Sequence, residues 1–539
     1  MANTAFPRPS SRPVSRRTVI TAAAAAAAFG VATPSALASP YGAARPGADA
    51  LLRRRTRTVD QARMLGWARD TWHCMVAMTD PGTGLVADNI PGSLSPGGRS
   101  RFTSPTNIGG YLWSAVAARD LGIITAGECT RRVRQTLATL LRMDVHDASG
   151  MYVNWYDPPT GDVVRVWPEN GSTVVPFYSS VDNGWLGAAL YVVRNSVPGA
   201  RELADRLWQR MRWDMFYDPF ASRPGGLIHG GFYEEDPGST NTAVFKGNHI
   251  GVGPDVWYTD HHYDTTVSET RITTYLGLIR GQVPPTNYYA LWRTFPATCD
   301  WSWHEMQPVG VTRNYYGIEV YEGAYTYRGM RIVPGWGGSM FEELMPAMFV
   351  PEESWAPRSW GVNHPLHVRA QREHGLLEAG YGYWGFSPSS DPAGGYREFG
   401  VDLLGLNPDG YFSDEEKTNV DVGFGDCRPA TNPHPTFADG VVTPHASFLA
   451  LMFEPDAAFA NLSRIETELG AYGAGGFFDA VAVRSGTIAQ RYLSLDQAMA
   501  MGSLGNVLAG GDMRRAFATR QAEQAIRPVI GIETFGAGA

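Results

Sequence analysis

The chain has 539 residues, of which 44% are hydrophobic and 12% are aromatic, so it has enough apolar side chains to bury a large core. This composition excludes a disordered, collagen-like or coiled-coil protein. The formal net charge is -8, with 53 Asp and Glu against 45 Lys and Arg. An acidic surface repels nucleic acid and anionic lipid, which favours a neutral partner such as an uncharged carbohydrate.

The first 38 residues have the layout of a signal peptide. Arg16 and Arg17 precede an Ala-rich stretch, which is followed by the small-residue site Ala36-Leu37-Ala38. This order is typical of a twin-arginine (Tat) signal, and the alternative of a membrane anchor requires a longer apolar run. We therefore expect the Tat machinery to export the protein, which leaves a secreted chain of residues 39–539 without stable membrane insertion.

The four cysteines lie far apart in the sequence, at Cys74, Cys129, Cys299 and Cys427. An oxidising compartment permits disulfides, and four cysteines allow three pairings that the sequence does not separate. Cys129 continues an apolar helical stripe, which favours burial as a small hydrophobic residue.

Helical periodicity dominates the chain, and about a dozen segments are predicted to be helices. They lie near residues 58–79, 104–120, 126–143, 180–196, 200–216, 267–281, 284–294, 339–348, 364–379, 441–452, 455–469 and 494–509. Aromatic, turn-rich stretches at 151–156 and 318–333 are predicted to form β-hairpins. We find no repeat of fixed period, which disfavours an open solenoid. The predicted fold is all-α, a closed (α/α)6 toroid with inserted β-hairpins and long loops, in a single domain spanning residues 39–539.

Asp182 is the first candidate for chemistry, because it lies in the first turn of the predicted helix 180–196. The positive end of a helix favours a carboxylate, and Trp185 follows three residues later on the same side. A carboxylate beside an aromatic ring at the start of a helix suits sugar binding. The alternative is that the acid caps the helix and has no other role.

A second polar stretch contains Asp260, His261, His262 and Asp264. These side chains would form a hard-ligand cluster if they converged, but their spacing matches no defined zinc signature. Adjacent histidines also point apart in an extended chain. We therefore predict no metal site from this stretch.

Glu269 follows closely and is the stronger candidate. It precedes Arg271 at the start of an apolar helix, which predicts a buried acid oriented by its neighbours. Burial raises the pKa of a carboxyl group, so that it can protonate a leaving oxygen. The alternative is an ordinary acidic residue at the start of a helix.

Two glycine-rich stretches present aromatic rings. Residues 334–339 predict a tight loop that presents Trp336, and Glu342 follows in the first turn of the next helix. The loop lacks the signature of a phosphate-binding loop. Tyr383 and Trp384 belong to an aromatic run between glycines at 381–387, which predicts a platform on which sugar rings stack. Core packing is the alternative for these rings.

Several motifs together resemble a known family. They include the Pro-Gly-Trp-Gly-Gly-Ser run at 334–339 and the Gly-Tyr-Gly-Tyr-Trp-Gly-Phe run at 380–386. The other motifs lie at 363–365, 439–445, 475–479 and 491–497. This set resembles the glucoamylase-like domain of bacterial β-1,2-glucan enzymes, which are the endo-β-1,2-glucanases of glycoside hydrolase family 144 and a part of cyclic β-1,2-glucan synthases. The similarity covers most of residues 150–535.

The resemblance implies an (α/α)6 toroid that hydrolyses a glycosidic bond with inversion, uses no organic cofactor and holds its catalytic carboxylates in a central cleft. Asp182 and Glu269 match the catalytic positions, with Glu269 assigned as the general acid and Asp182 as the base or orienter of water. Residues expected to bind the carbohydrate substrate are Trp185, Tyr263, Arg271, Trp336, Glu342, Tyr383, Trp384, His445, Asp479 and Tyr492. No residue is assigned to a metal.

The predicted function is therefore that of a secreted glycoside hydrolase acting on a neutral glucan, with β-1,2 linkage favoured. Two alternatives stay open, a secreted glycan-binding protein without catalysis and a polysaccharide lyase on the same toroid. The chain is acidic and has few lysines, which disfavours the lyase because uronate substrates require a basic cleft. The sequence also leaves open the glycosidic linkage, endo or exo action, which of the two carboxylates is the acid and which is the base, the disulfide pairing and the oligomeric state.

Overall fold

A computed structural model describes residues 48–238, 243–295, 307–406, 437 and 439–538. The predicted signal peptide, Cys299 and Cys427 lie outside the described residues. Cys74 and Cys129 are free thiols in the core, so the predicted burial of Cys129 is confirmed. Within the described ranges, every helix is too short or too polar to cross a membrane.

The described chain is rich in helices, which occupy all the segments where periodicity predicts them. The α-helices are α1 Ala48–Met78, α2 Pro105–Asp120, α3 Ala126–Leu140, α4 Ser180–Ser196, α5 Arg201–Arg210, α6 Arg271–Arg280, α7 Pro285–Ala290, α8 Met340–Leu344, α9 Glu352–Trp355, α10 Trp360–Glu373, α11 Pro444–Ala450, α12 Pro455–Glu468, α13 Ser494–Leu508, α14 Asp512–Phe517 and α15 Arg520–Ile530. The periodicity did not indicate α9, α14 and α15.

Short antiparallel strands form small sheets between the helices. They are β1 Asn89–Pro91, β2 Phe177–Ser179, β3 Tyr217–Asp218, β4 Leu227–His229, β5 Gly231–Tyr233, β6 Ala243–Gly247, β7 Val256–Thr259, β8 His262–Tyr263, β9 Val309–Tyr315, β10 Ile318–Tyr327, β11 Met330–Ile332, β12 Ser389–Ser390, β13 Tyr396–Arg397, β14 Val441–Val442, β15 Tyr472–Gly473, β16 Gly476–Phe477, β17 Ala480–Ala482, β18 Thr487–Ala489 and β19 Arg491–Leu493.

These sheets go beyond the inserted hairpins that were predicted. β10 and β11 form the hairpin expected near 318–333, but β9 adds a third strand to it. β2, β5, β7 and β6 build a four-stranded sheet from segments too short to show a clear two-residue alternation. Residues 151–156 make isolated bridges rather than a regular hairpin. The expectation of an all-α chain is therefore too simple.

The central helices pack side by side in chain order. α2 packs on α4, α4 on α6, α8 on α11, α11 on α13, and α13 returns to α2. α6 and α8 are joined through Arg271, whose guanidinium donates to the backbone carbonyls of Glu342 and Glu343. Helices α1, α3, α5, α10 and α12 pack against this set.

Two glycines allow the close helix packing that positions the site. A Cβ at Gly184 of α4 would lie 2.4 Å from Oγ1 of Thr273 on α6, and one at Gly109 of α2 would lie 2.9 Å from the carbonyl of Trp185 on α4. Thr273 also donates a hydrogen bond to the carbonyl of Ser180. The first turn of α4 is therefore held between the start of α2 and the start of α6.

Candidate active site

Asp182 lies in the first turn of α4, as the sequence predicts. The side chain of Ser179 caps this helix by accepting a hydrogen bond from the backbone N–H of Asp182, so the carboxylate of Asp182 is not needed for capping. Its two oxygens instead accept hydrogen bonds from Oγ1 of Thr106, at 2.6 Å, and from Nδ2 of Asn154, at 2.9 Å. This arrangement suits an ionised carboxylate, which can only accept.

Glu269 lies in the turn immediately before α6 and is completely buried. Its Oε2 lies 3.4 Å from the hydroxyl of Ser268, while Oε1 has no hydrogen-bond partner. Burial raises the pKa of Glu269 well above its usual range; a backbone hydrogen bond, Ser268 and Arg271 oppose that rise, and the charge of Asp182 adds to it. Burial therefore favours the neutral form of Glu269, and Asp182 lies close enough for its charge to act on it.

Glu342 and Tyr263 complete this group. Glu342, on α8, is fully buried with both carboxyl oxygens unpartnered, and its pKa is raised by burial and by the charge of Glu269. Burial raises the pKa of the Tyr263 phenol as well, and the charges of Glu269, Asp182 and Glu342 raise it further. One phenol therefore faces three carboxyl groups that come from distant parts of the sequence. We call Asp182, Tyr263, Glu269 and Glu342 the carboxyl cluster.

Arg271 differs from the expectation that it contacts sugar. It is buried, donates to both carboxyl oxygens of Glu352 at 2.7 and 2.9 Å, and its carbon Cζ lies 4.2 Å above the ring of Trp360. His364 contacts two buried carboxyl groups. Its Nδ1 lies 2.7 Å from Oε1 of Glu343, and its Nε2 lies 3.3 Å from Oε2 of Glu352. Arg271 is therefore a positioning residue that ties α6 to α8.

His445, Asp479 and Asp496 form a second acidic group, close to Asp88. Burial and the carboxyl of Asp496 raise the pKa of Asp479 well above its usual range, while the backbone N–H of Ser390 donates to Asp479 at 2.6 Å. Burial raises the pKa of Asp496 to about 7, against a hydrogen bond from Asp479 that lowers it. Burial therefore favours the neutral form of Asp479 beside Asp496.

His445 adjoins this acidic group. Nδ1 of His445 lies 3.3 Å from Oδ2 of Asp496, and burial lowers the pKa of His445 to about 4, against the charge of Asp479. The imidazole is therefore neutral at pH 7. A cavity of about 10 Å³ lies beside His445, Asp479 and Asp496, which is about the room that one water needs.

Two of the predicted sugar-binding rings lie in the packed core. Trp185 is 1% exposed and contacts the rings of Trp113 and Phe349. Tyr492 is fully buried, stacks on Phe478 and accepts a hydrogen bond from the backbone of Gly475. Their positions differ from the expectation, because a ring that packs on other side chains is not free to stack on a sugar.

The predicted aromatic platform at 381–387 also does not form. Tyr383 points outward, donates to Glu468 at 2.8 Å and lies under the guanidinium of Arg464. Trp384 is 2% exposed and packs in the core. These rings therefore pack against other side chains, which was the alternative to a sugar-binding platform.

Trp336 lies half-buried against the core, on the loop between β11 and α8. Its neighbour Gly338 adopts a φ of +88° and would place a Cβ 2.1 Å from the carbonyl of Val401. Only glycine fits at this position, because any side chain would clash with the backbone of Val401. The chain near residue 401 can therefore pack directly against the loop. The chain bends sharply here, and Trp336 packs against the core instead of being presented by the loop.

Among the described residues, the side chains of Asp260, His261, His262 and Asp264 do not meet in one cluster. His261 is exposed beside Asp260. Asp264 is half-buried, and desolvation raises its pKa to about 6. His262 points elsewhere, and its Nε2 lies 3.0 Å from Oδ2 of Asp218. The prediction of no metal site was based on these four residues alone. It did not include the residues of other strands that lie next to His262.

Sequence reasoning missed residues that hold the candidate catalytic groups. Thr106 and Asn154 bind Asp182, and no local pattern marks them. Asp496 and His364 lie inside two of the stretches that carry the family resemblance, 491–497 and 363–365. That resemblance was the signal that could have identified both.

Two family models match the chain. Residues 262–518 match the model described as "Putative glucoamylase". Residues 66–218 match one described as "Protein of unknown function (DUF3131)". The first match contains Glu269, Glu342 and Asp479, and the second contains Asp182.

The chain is also similar to a curated protein, the cyclic beta-(1,2)-glucan synthase NdvB of Rhizobium meliloti (strain 1021). The two are 28% identical over 272 residues, which cover 47% of this chain and 7% of that protein. The chain therefore matches only a small part of the length of this relative.

Solved structures share the fold at low sequence identity. The β-1,2-glucanase from Parabacteroides distasonis has a TM-score of 0.60 and 17% identity, covering 88% of this chain and 60% of its own. The endo-β-1,2-glucanase from Chitinophaga pinensis, complexed with sophorotriose and glucose, has a TM-score of 0.58 and 14% identity, covering 87% of this chain and 98% of its own. A "putative glucoamylase" from Bacteroides fragilis NCTC 9343 has a TM-score of 0.58 and 17% identity, covering 88% of this chain and 97% of its own. Residues 262–518 thus match the glucoamylase-like family that the sequence motifs indicated, and the solved structures share the fold over most of the chain.

Proposed function

We propose that the protein is a secreted glycoside hydrolase that cleaves a neutral β-glucan, with β-1,2 linkage favoured, by an inverting mechanism. The observation that carries the proposal is the buried Glu269 carboxyl, which has one oxygen unpartnered and whose pKa is raised by burial and by the nearby charge of Asp182. The names of the similar proteins, two of them β-1,2-glucanases and one a cyclic β-1,2-glucan synthase, support the substrate class.

Glu269 is the general acid in this proposal. An inverting hydrolase needs one protonated carboxyl that donates its proton to the leaving glycosidic oxygen. The raised pKa of Glu269 supports this role at neutral pH. Since Glu269 is fully buried, a bound glucan must displace the side chains that cover it.

Asp182 is the base that activates or orients the attacking water. In inverting enzymes the two carboxyl groups typically lie about 6.5–9.5 Å apart, which leaves room for that water between them. Hydrogen bonds from Thr106 and Asn154 fix the orientation of Asp182, which supports a role that depends on geometry. Tyr263, whose raised pKa keeps its phenol protonated, would donate a hydrogen bond to the substrate or to a carboxylate.

The proposed scaffold is an (α/α)6 toroid. The sequence of contacts through α2, α4, α6, α8, α11 and α13 supports six inner helices, with the carboxyl cluster where α4, α6 and α8 begin. His445 and Asp479 would bind sugar hydroxyls at a second position, since α11 and α13 bring that acidic group to the same inner set. Export by the Tat pathway remains part of the proposal and rests on residues 1–38 alone.

The test is product analysis on a panel of neutral glucans that includes linear β-1,2-glucan, β-1,3-glucan, β-1,4-glucan and α-1,4-glucan. We expect reducing ends from β-1,2-glucan, and proton NMR taken at the start of the reaction should show products of α configuration. Binding without release of reducing ends would mean a glycan-binding protein. Absorbance of an unsaturated product on uronate polymers would mean a lyase, and either result would overturn the proposal.

The assignment of the base is tested by comparing Asp182→Asn with Asp479→Asn. We expect Asp182→Asn to lower kcat by about 10²–10⁴-fold, the usual contribution of a general base, and Asp479→Asn to raise KM more than it lowers kcat. The opposite pattern would transfer the role of the base to Asp479. Circular dichroism of both variants checks that they remain folded.

A further inference from the structure

A cluster of three histidines and an aspartate lies outside the carboxyl cluster and has no part in the proposed hydrolysis. Asp218, His229 and His262 belong to one three-stranded sheet, in which β4 lies between β3 and β8. His229 is directly opposite His262 in that sheet. His249 reaches the same place from the turn that follows β6. Four polar side chains from different segments therefore meet in one place.

The distances in this cluster fit a metal ion. Nε2 of His229 lies 3.2 Å from Nε2 of His249 and 3.8 Å from Oδ2 of Asp218. The ligand atoms of Asp218, His229 and His249 all lie within 4.8 Å of one another. Two nitrogens bound to one tetrahedral zinc at about 2.0–2.1 Å lie about 3.3 Å apart. The histidine pair already has this spacing.

The hydrogen bonds around the cluster prepare its atoms for coordination. Nδ1 of His229 lies 2.9 Å from the carbonyl oxygen of Thr259, which can only accept, so Nδ1 carries the proton and Nε2 is free to coordinate. The backbone N–H of Phe220 donates to Oδ1 of Asp218, while Nε2 of His262 lies 3.0 Å from Oδ2. Outer contacts of this kind orient the ligands in known metal sites.

Electrostatics point the same way. Burial lowers the pKa of His229 to about 3, and the nearby His262 lowers it further, against the charge of Asp218. Burial also lowers the pKa of His249. Ring stacking among His229, His249 and Tyr258 fixes the planes of the rings.

We propose that Asp218, His229 and His249 bind a divalent transition-metal ion, with zinc preferred, and that His262 orients the carboxylate of Asp218. Two nitrogens and one carboxylate oxygen are ligands that zinc accepts readily. The role is structural. His262 and Tyr263 are consecutive in a strand, so their side chains point to opposite faces of the sheet, and the metal lies on the face away from the carboxyl cluster. The ion would tie the turn after β6 to the sheet that carries Tyr263.

The experiment measures zinc bound to the full chain. The protein is treated with a chelator, dialysed, supplied with zinc chloride and freed of excess metal, and bound zinc is then measured by mass spectrometry. The variants are Asp218→Asn and His249→Ala, which remove ligands, and His262→Gln, which removes the orienting contact. His261→Ala is the matched control. It also removes a histidine next to His262, but His261 is exposed and contacts Asp260 and not the proposed ligands.

We expect stoichiometric zinc in the wild type and in His261→Ala, and substoichiometric zinc in Asp218→Asn and His249→Ala. His262→Gln should retain zinc with affinity lower by about 10–100-fold. Zinc should raise the thermal midpoint of the wild type and not that of the two ligand variants. When cobalt replaces zinc, the wild type should show the visible absorption bands of a tetrahedral site. Asp218→Asn and His249→Ala should not show these bands.

Two results would overturn the proposal. The first is a folded wild type that retains no zinc or cobalt after reconstitution. The second is stoichiometric zinc in both Asp218→Asn and His249→Ala. Since all readouts are metal content, stability and absorption, they do not depend on whether the chain hydrolyses a glucan.

Discussion

Glu269 and Glu352 are both completely buried and both interact with Arg271, yet they are predicted to exist in opposite protonation states. Burial would raise the pKa of Glu352, but the charge of Arg271 and hydrogen bonds from His364 and Arg271 outweigh it and lower the pKa to about 2. Burial raises the pKa of Glu269 well above its usual range, because its weaker partners do not compensate. The difference lies in the partners and not in the depth of burial.

The surroundings of Glu352 suit a role in stability, whereas those of Glu269 suit a role in catalysis. Around Glu352, Tyr275 donates at 2.6 Å and Arg271 binds both oxygens, so each charge is matched by another. Around Glu269, one carboxyl oxygen is unpartnered. A matched buried pair holds helices together, whereas an unmatched buried acid has a proton to give. The same substitution, Glu to Gln, should therefore have opposite consequences at the two positions.

Glu269→Gln should have the largest effect on turnover. Removing the proton donor is expected to lower kcat by about 10²–10⁴-fold. Stability should change little below about pH 4.5, because a protonated glutamic acid and glutamine have similar shapes and no charge. At higher pH the variant should be the more stable of the two, because it lacks a carboxyl group whose ionisation favours the unfolded chain. The measurements are reducing-end release from β-1,2-glucan and urea unfolding. Glu523→Gln, at an exposed ion pair with Arg527, is the control that should leave both unchanged. Near-normal turnover of Glu269→Gln would remove it from catalysis.

Glu352→Gln should have the largest effect on stability. It leaves the buried guanidinium of Arg271 without its counterion, and breaking a buried pair costs about 3–5 kcal/mol. Urea unfolding monitored by tryptophan fluorescence measures the loss, with Glu523→Gln as the surface reference. A loss below about 1 kcal/mol, the size typical of surface pairs, would contradict the distinction drawn between the two regions.

The pH dependence of stability should separate the two carboxyls by sign. The folded pKa of Glu352, about 2, lies below its ordinary value of 4.5, so its contribution is complete above pH 4.5 and is lost as pH falls towards 2. The folded pKa of Glu269 is raised, so its contribution falls as pH rises above 4.5. Urea unfolding at a series of pH values should therefore show a shallower acid loss in Glu352→Gln than in the wild type. It should also show a shallower loss at rising pH in Glu269→Gln. Unchanged slopes in both variants would contradict the assigned protonation states.

Local pattern predicted the parts of the site that depend on a single segment. The helix of Asp182 was predicted at 180–196 from its apolar periodicity, and α4 has those bounds. The acid before α6 was predicted to be buried, because Arg271 and an apolar helix follow it. Periodicity and capping depend on residues that are close in sequence, so they can predict features of a single helix and of the turn before it.

Contacts between distant segments could not be predicted in the same way. Glu352 lies 81 residues from Arg271 and His249 lies 20 residues from His229, and no spacing rule joins either pair. The rings near Tyr383 were predicted to bind sugar because their composition suits it. Composition does not say which face of a loop meets solvent, and that depends on packing against α12.

Tyr383→Phe should have the smallest effect and tests this last point. Its hydroxyl donates to Glu468 on an exposed surface, and the change removes only that hydrogen bond. Such surface substitutions typically change stability by less than about 0.5 kcal/mol. Because the ring lies under Arg464 and away from the buried carboxyl groups, kcat and KM on β-1,2-glucan should equal those of the wild type. A clear rise in KM would instead place Tyr383 in a sugar subsite, and the aromatic run at 381–387 would then have the binding role that its composition first indicated.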